Sequence, residues 1–124
     1  MKRAIVISAL ALAGCAAQPR VQDNPEAMEP LVCSNKMQCD AWWQRAQSLV
    51  ALNSFWKIQT ASDAVIQTYG PGQSRVELAY TITRIPEANG SARITISGAC
   101  ANIFGCSPKL VDAVLSFKRF VKAG

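Results

Sequence analysis

The chain predicts an α+β domain: a two-layer sandwich in which a four-stranded antiparallel meander carries two helices on one face, in the order α-β-β-β-β-α. Three observations lead there. Residues 42–53 and 110–121 repeat apolar positions every three or four residues, as one-sided helices do. Residues 75–85 and 92–100 alternate apolar and polar, as strands of a sheet covered on one face do. Between those strands stands Asn89-Gly90, a pair that accepts the positive φ of a hairpin turn.

The elements follow in order. Trp42, Trp43, Ala46, Leu49, Val50 and Asn53 set the first helix, with Ser34 or Asp40 as its N-cap. Adjacent tryptophans lie about 100° apart around a helix, so one of Trp42 and Trp43 is expected to be only half buried. Phe55–Ala61 and Ala64–Tyr69 read as strands broken at Ser62-Asp63, because Val65, Ile66, Thr68 and Tyr69 favour extended backbone. Gly70-Pro71-Gly72 is a turn. In the next strand Val76, Leu78, Tyr80 and Ile82 face one way and Glu77, Ala79, Thr81 and Thr83 the other. In the last, Ala92, Ile94, Ile96 and Gly98 oppose Arg93, Thr95, Ser97 and Ala99. Ser107 is a natural cap and Pro108 a natural first residue for the closing helix, whose stripe is Leu110, Ala113, Val114, Phe117, Phe120 and Val121. Asp112 and the trio Lys118, Arg119 and Lys122 complement the two ends of its dipole.

Before this domain the composition changes. Ala16 to Pro30 holds prolines at 19, 25 and 30 among polar residues, and reads as an unstructured tether. Met1-Lys2-Arg3 followed by the apolar run Ala4–Ala13 is an export signal, too short to cross a bilayer. Leu12-Ala13-Gly14-Cys15 resembles the lipobox of bacterial lipoproteins. The resemblance implies cleavage before Cys15 and acylation of that cysteine, with thioether-linked lipid and an amide-linked chain such as palmitate. The domains expected are thus a signal peptide over 1–14, a lipidated tether over 15–30 and a single domain over 31–124.

Cleavage leaves 110 residues, enough for one domain, and lowers the formal charge from +5 to +3. So mild and scattered an excess gives nucleic acid no footprint. Beyond Cys15, four cysteines remain, Cys33, Cys39, Cys100 and Cys106, as expected of an exported domain stabilised by disulfides. Four thiols permit three pairings, and the identical Cys-x5-Cys spacings favour Cys33–Cys39 and Cys100–Cys106. Each such bridge closes a seven-residue loop, worth roughly 2 kcal/mol by chain entropy. A metal site is disfavoured by that spacing and by the lack of any histidine.

The same lack removes Ser-His and Cys-His catalysis. Of eight carboxylates only Glu77 projects from a predicted sheet face, so a two-carboxylate hydrolase has little support. No phosphate loop is present either, since Gly70-Pro71-Gly72 lacks the Lys-Ser/Thr that follows one. No enzyme, cofactor or metal is expected. Binding has two candidate surfaces. Ile103 and Phe104 fall at the tip of the 100–106 loop, where they either contact a partner or fold back on the core. Arg75 and Arg93, with Glu77, Thr81, Thr83 and Thr95, share the polar sheet face, which has the composition of a solvated face as well as of a contact surface.

Cys33-x5-Cys39-Asp40-Ala41-Trp42, Lys57-Ile58-Gln59-Thr60-Ala61 and Cys100-Ala101-Asn102-Ile103-Phe104-Gly105-Cys106 resemble a group of small proteobacterial lipoproteins, over about residues 32–122. That resemblance implies an envelope location and brings no activity with it. Ala16 after the acylated cysteine resembles the outer-membrane sorting signal of enteric bacteria. The expectation is a lipid-anchored accessory protein facing the periplasm, binding an envelope protein or wall component. The alternative is an inhibitor or immunity protein acting on a toxin or wall hydrolase.

Overall fold

The computed structural model describes residues 20–123. The signal segment and Cys15 lie outside the described residues. The elements are α1 (Pro25–Met28), β1 (Leu31–Cys33), α2 (Lys36–Asn53), β2 (Ile58–Ala61), β3 (Val65–Thr68), β4 (Ala79–Pro86), β5 (Ala92–Ala99) and α3 (Leu110–Lys122). The α+β sandwich holds, with five strands in place of four. The sheet is antiparallel throughout, in the order β1-β5-β4-β3-β2. β2 to β5 form the meander, and β1 joins at the far edge by pairing Leu31 with Ile94 and Cys33 with Ala92. Three residues after a proline are too few to display an alternation, so β1 was not legible.

The β4–β5 hairpin forms where the Asn-Gly pair places it. Pairing runs from Ala79–Ala99 to Pro86–Ala92, and Asn89 and Gly90 adopt φ of 62° and 76°. At the other end Gly70 has φ of 78°, and the Trp56 ring lies 2.5 Å from where a Cβ would sit. Only glycine fits there. β4 begins four residues later than the alternation predicts. The Arg75 and Val76 carbonyls accept from the N–H groups of Ala101 and Ser107, so residues 75–77 brace the 100–106 loop and leave the β3–β4 ladder.

Both helices start differently from expectation, each for a hydrogen-bonding reason. Asn35, rather than Ser34 or Asp40, caps α2: its side chain accepts from the Gln38 N–H at 2.9 Å, and Gln38 Oε1 accepts from the Ser34 N–H at 2.7 Å. The pair resembles a capping box in which Gln38 reaches the N–H of the residue before the cap rather than that of the cap itself. α3 begins at Leu110, with Lys109 at the cap position and no side-chain cap bond. Lys109 is itself extended, at φ −64° and ψ 144°, so the helix begins only at Leu110.

The core lies between the helices and one sheet face: Trp42, Trp43, Ala46 and Val50 of α2 and Phe117 and Val121 of α3 meet Leu31, Ile66, Ile82 and Ile94. Burial of each large side chain contributes about 1.5–3 kcal/mol. Trp42 and Trp43 are both buried, against the expectation for neighbours on a helix. The β2–β3 turn covers the second, whose Nε1–H donates to the Ser62 carbonyl at 2.8 Å. Cys33–Cys39 closes with 5.1 Å between Cα atoms, both residues fully buried, and joins β1 to the second turn of α2. Cys100–Cys106 closes with 5.7 Å.

Residues 20–30 are not the unstructured tether their composition predicts. Val21–Asp23 form a 3-10 turn, α1 follows with Asn24 as its cap, and Ala27 packs on Val111 and Val114. The cause is Lys118. It is buried, and its Nζ donates to the carbonyls of Glu26 at 2.7 Å, Ala27 at 2.8 Å and Glu29. Three acceptors at the end of α1 take all three ammonium protons. Burial pulls Lys118 below the ordinary lysine range, against the raising pull of Glu29 and Glu26. Within the basic trio, Lys118 is therefore an interior clamp, while Arg119 pairs with Glu26 at 3.3 Å on the surface.

Candidate interaction surface

In an antiparallel meander the start of β2, the end of β3, the start of β4 and the end of β5 share one end of the sheet. The segments 54–57, 69–78 and 100–107 therefore converge there. The third is the most constrained. Inside the ring closed by Cys100 and Cys106, Asn102 Oδ1 accepts from the Phe104 N–H at 2.9 Å, and the Asn102 carbonyl accepts from Gly105 at 3.3 Å. Asn102 Nδ2 donates to the Ser74 carbonyl at 2.9 Å, tying the ring to its neighbour. Ala101 and Ser107 add their bonds to Arg75 and Val76 at 3.2 and 2.9 Å. With the backbone held on both sides, Ile103 and Phe104 project into solvent, 90% and 87% exposed. They do not fold back on the core.

At the same end of the sheet Phe55, Tyr69 and Val76 are each at least partly exposed. Arg75 lies 4.0 Å above the Phe55 ring and grips Glu77 with Nε at 3.0 Å and Nη2 at 2.7 Å. That fork holds the Glu77 carboxyl below its ordinary range, with its own backbone N–H adding to the effect. Phe55 meets Trp56 edge-on at 5.2 Å, and the Trp56 Nε1–H donates to the Glu77 carbonyl at 3.3 Å. Arg75 is thus fixed in place beside an apolar patch. Phe55 and Val76 were not legible as surface residues, although each adjoins a turn.

Arg93 belongs elsewhere. It pairs with Ile85 near the hairpin end of β5 and contacts Glu87 at 3.0 Å, six residues before Ala99 and so about 20 Å from the loop. On the open sheet face beside it some polar groups bond one another. Thr83 and Thr95 share a hydrogen bond across the strands, and Ser97 donates to the Thr81 carbonyl at 3.3 Å. Arg75 and Arg93 are therefore not one surface.

Several concavities occur among the described residues, two of them beside α2. One, of about 640 Å³, is lined by Lys36, Asp40, Trp43, Ser62, Asp63 and Arg84 among others. Lys36 at 2.6 Å and Arg84 at 2.8 Å bridge Asp40 and hold its carboxyl below the ordinary range, so the charges there neutralise one another. The other is an apolar cleft between α2 and α3, of about 290 Å³. No described helix is long and apolar enough to cross a membrane. No family model, curated protein or solved structure matches the chain.

Proposed function

We propose that this protein is a lipid-anchored component of the cell envelope that binds a protein partner by inserting Ile103 and Phe104 into it. One observation carries the reading: two large apolar side chains stand almost wholly in water on a ring that a disulfide and five hydrogen bonds hold in shape. A folded chain gains nothing from such exposure, whereas a pre-ordered apolar tip docks with little loss of entropy. Aromatic anchors of this kind dominate binding energy at interfaces. The flanking Phe55, Tyr69 and Val76 extend the contact area. Two closed disulfides support an oxidising compartment. The export signal and Cys15 supply the anchor, and Ala16 the sorting to the outer membrane.

The tip is convex, which favours a second version of the same reading. A projecting loop fits the substrate cleft of a toxin or wall hydrolase, and the protein then serves as its inhibitor. Reduced peptidoglycan digestion by a muramidase in the presence of the wild-type protein, and not of a loop variant, selects this version.

The double variant Ile103→Ser/Phe104→Ser tests the surface. Its melting temperature stays within about 2 °C of the parent, because exposed side chains contribute little to folding. Its retention of the partner from envelope extracts drops more than about tenfold, as loss of a central anchor requires. A melting temperature lower by about 10 °C returns these residues to the core; undiminished retention removes them from the interface. The anchor has its own test: Cys15→Ser transfers the protein from the membrane fraction to the soluble periplasm, and unchanged membrane association contradicts it.

A further inference from the structure

The cleft between α2 and α3 shares no lining residue with the 100–106 loop and has a chemistry of its own. Leu49, Val50, Tyr80, Ile96 and Phe117 give it apolar walls above the sheet, and its rim is polar. Asp112 is the single charged residue among the described residues that line it. Asn53 donates its side-chain amide to the Leu49 carbonyl at 3.1 Å, which leaves Oδ1 as an acceptor. α2 ends at Asn53, so the negative end of its dipole stands at the same rim. The Ser54 hydroxyl, also in the lining, is buried without a hydrogen-bond partner. Apolar walls, a rim of acceptors and a carboxylate that forms no ion pair among the described residues, Lys109 three positions before it included, favour positive charge on an apolar body.

We infer that the cleft binds a small organic cation, its aryl or short alkyl group seated against Leu49, Ile96 and Phe117 and its ammonium held by Asp112 and the end of α2. This is a second site, independent of the partner surface. Phenethylamine is a suitable probe, with phenylacetate and 2-phenylethanol as its anionic and neutral counterparts. Each is titrated into the full chain, held in lipid nanodiscs, while the methyl resonances of Leu49, Val50, Ile96 and Ala113 are followed. Phenethylamine shifts them saturably with a Kd of about 0.1–10 mM, the range open to so small a ligand. Phenylacetate leaves them in place, and 2-phenylethanol binds at least about fivefold more weakly, as loss of the ion pair requires. Asp112→Asn and Ser116→Lys, both at exposed helix positions, fold normally. The first weakens phenethylamine at least about fivefold and the second abolishes its binding, because charge at the rim decides affinity. Absence of saturation by about 20 mM overturns the inference. So does equal binding of the three probes, or unchanged affinity in either variant.

Discussion

Lys118→Met lowers the melting temperature by about 10–20 °C, although methionine matches lysine in length and suits an apolar interior. The wild-type ammonium serves three carbonyls at the end of α1, and the variant leaves them without donors. Hydrogen bonds to a charged group contribute about 1.5–3 kcal/mol each. Relief from burying the ammonium offsets part of that loss, leaving a net cost of about 2–3 kcal/mol. At about 4–8 °C per kcal/mol for a domain of this size, the shift is large enough to read from a single melt. The segment 20–30 also leaves α3, so cleavage after Glu26 by a glutamate-specific protease accelerates under native conditions. Arg119→Ala serves as the control, because its surface pair with Glu26 contributes no more than about 1 kcal/mol. A Lys118→Met melt within about 2 °C of the parent, with unchanged proteolysis, shows that something else holds the segment.

The two disulfides are expected to respond unequally. Both close seven-residue loops, so the chain-entropy contribution is about 2 kcal/mol for each. Cys33 and Cys39 also fill the core where β1 meets α2, and replacing both by alanine removes buried sulfur from a packed site. Cys33→Ala/Cys39→Ala therefore costs about 3 kcal/mol or more and detaches the edge strand along with the capping bonds beside it. Cys100 and Cys106 are only partly buried, and their loop keeps its bonds to Ser74, Arg75 and Val76. Cys100→Ser/Cys106→Ser therefore costs about 2 kcal/mol or less. Its larger effect is on the partner, because the tip loses its fixed shape. Chemical denaturation of the two double variants in parallel measures the ranking. Equal losses, or a greater loss from the second pair, contradict the division into a structural bridge and a presenting bridge.

How much of this was legible in the chain follows from the range over which each signal acts. α2, α3 and the β4–β5 hairpin are local features, fixed by apolar spacing and by Asn89-Gly90, and they form where the pattern places them. The identical cysteine spacings likewise pointed to the observed pairs. What escaped depends on groups distant in sequence. β1 is a strand only because β5 offers it an edge. The segment 20–30 folds because Lys118, about ninety positions later, reaches its carbonyls. Lys118 itself reads as a dipole complement on its own helix, and its burial emerges only when α1 is set against it. At the candidate surface, Ile103 and Phe104 were identifiable as a loop tip, but their exposure rests on Asn102 bonding to Ser74. Arg75 and Arg93 share a pattern in sequence and are separated in space by the length of β5.

The most direct test of the account places a photo-crosslinking residue at position 104 in living cells, with the same residue at Thr95 on the open sheet face as the comparison. The account predicts that irradiation joins position 104 to one envelope protein, while position 95 yields no such adduct. An adduct pattern shared by both positions, or no adduct at position 104, would contradict recognition through the disulfide-closed loop.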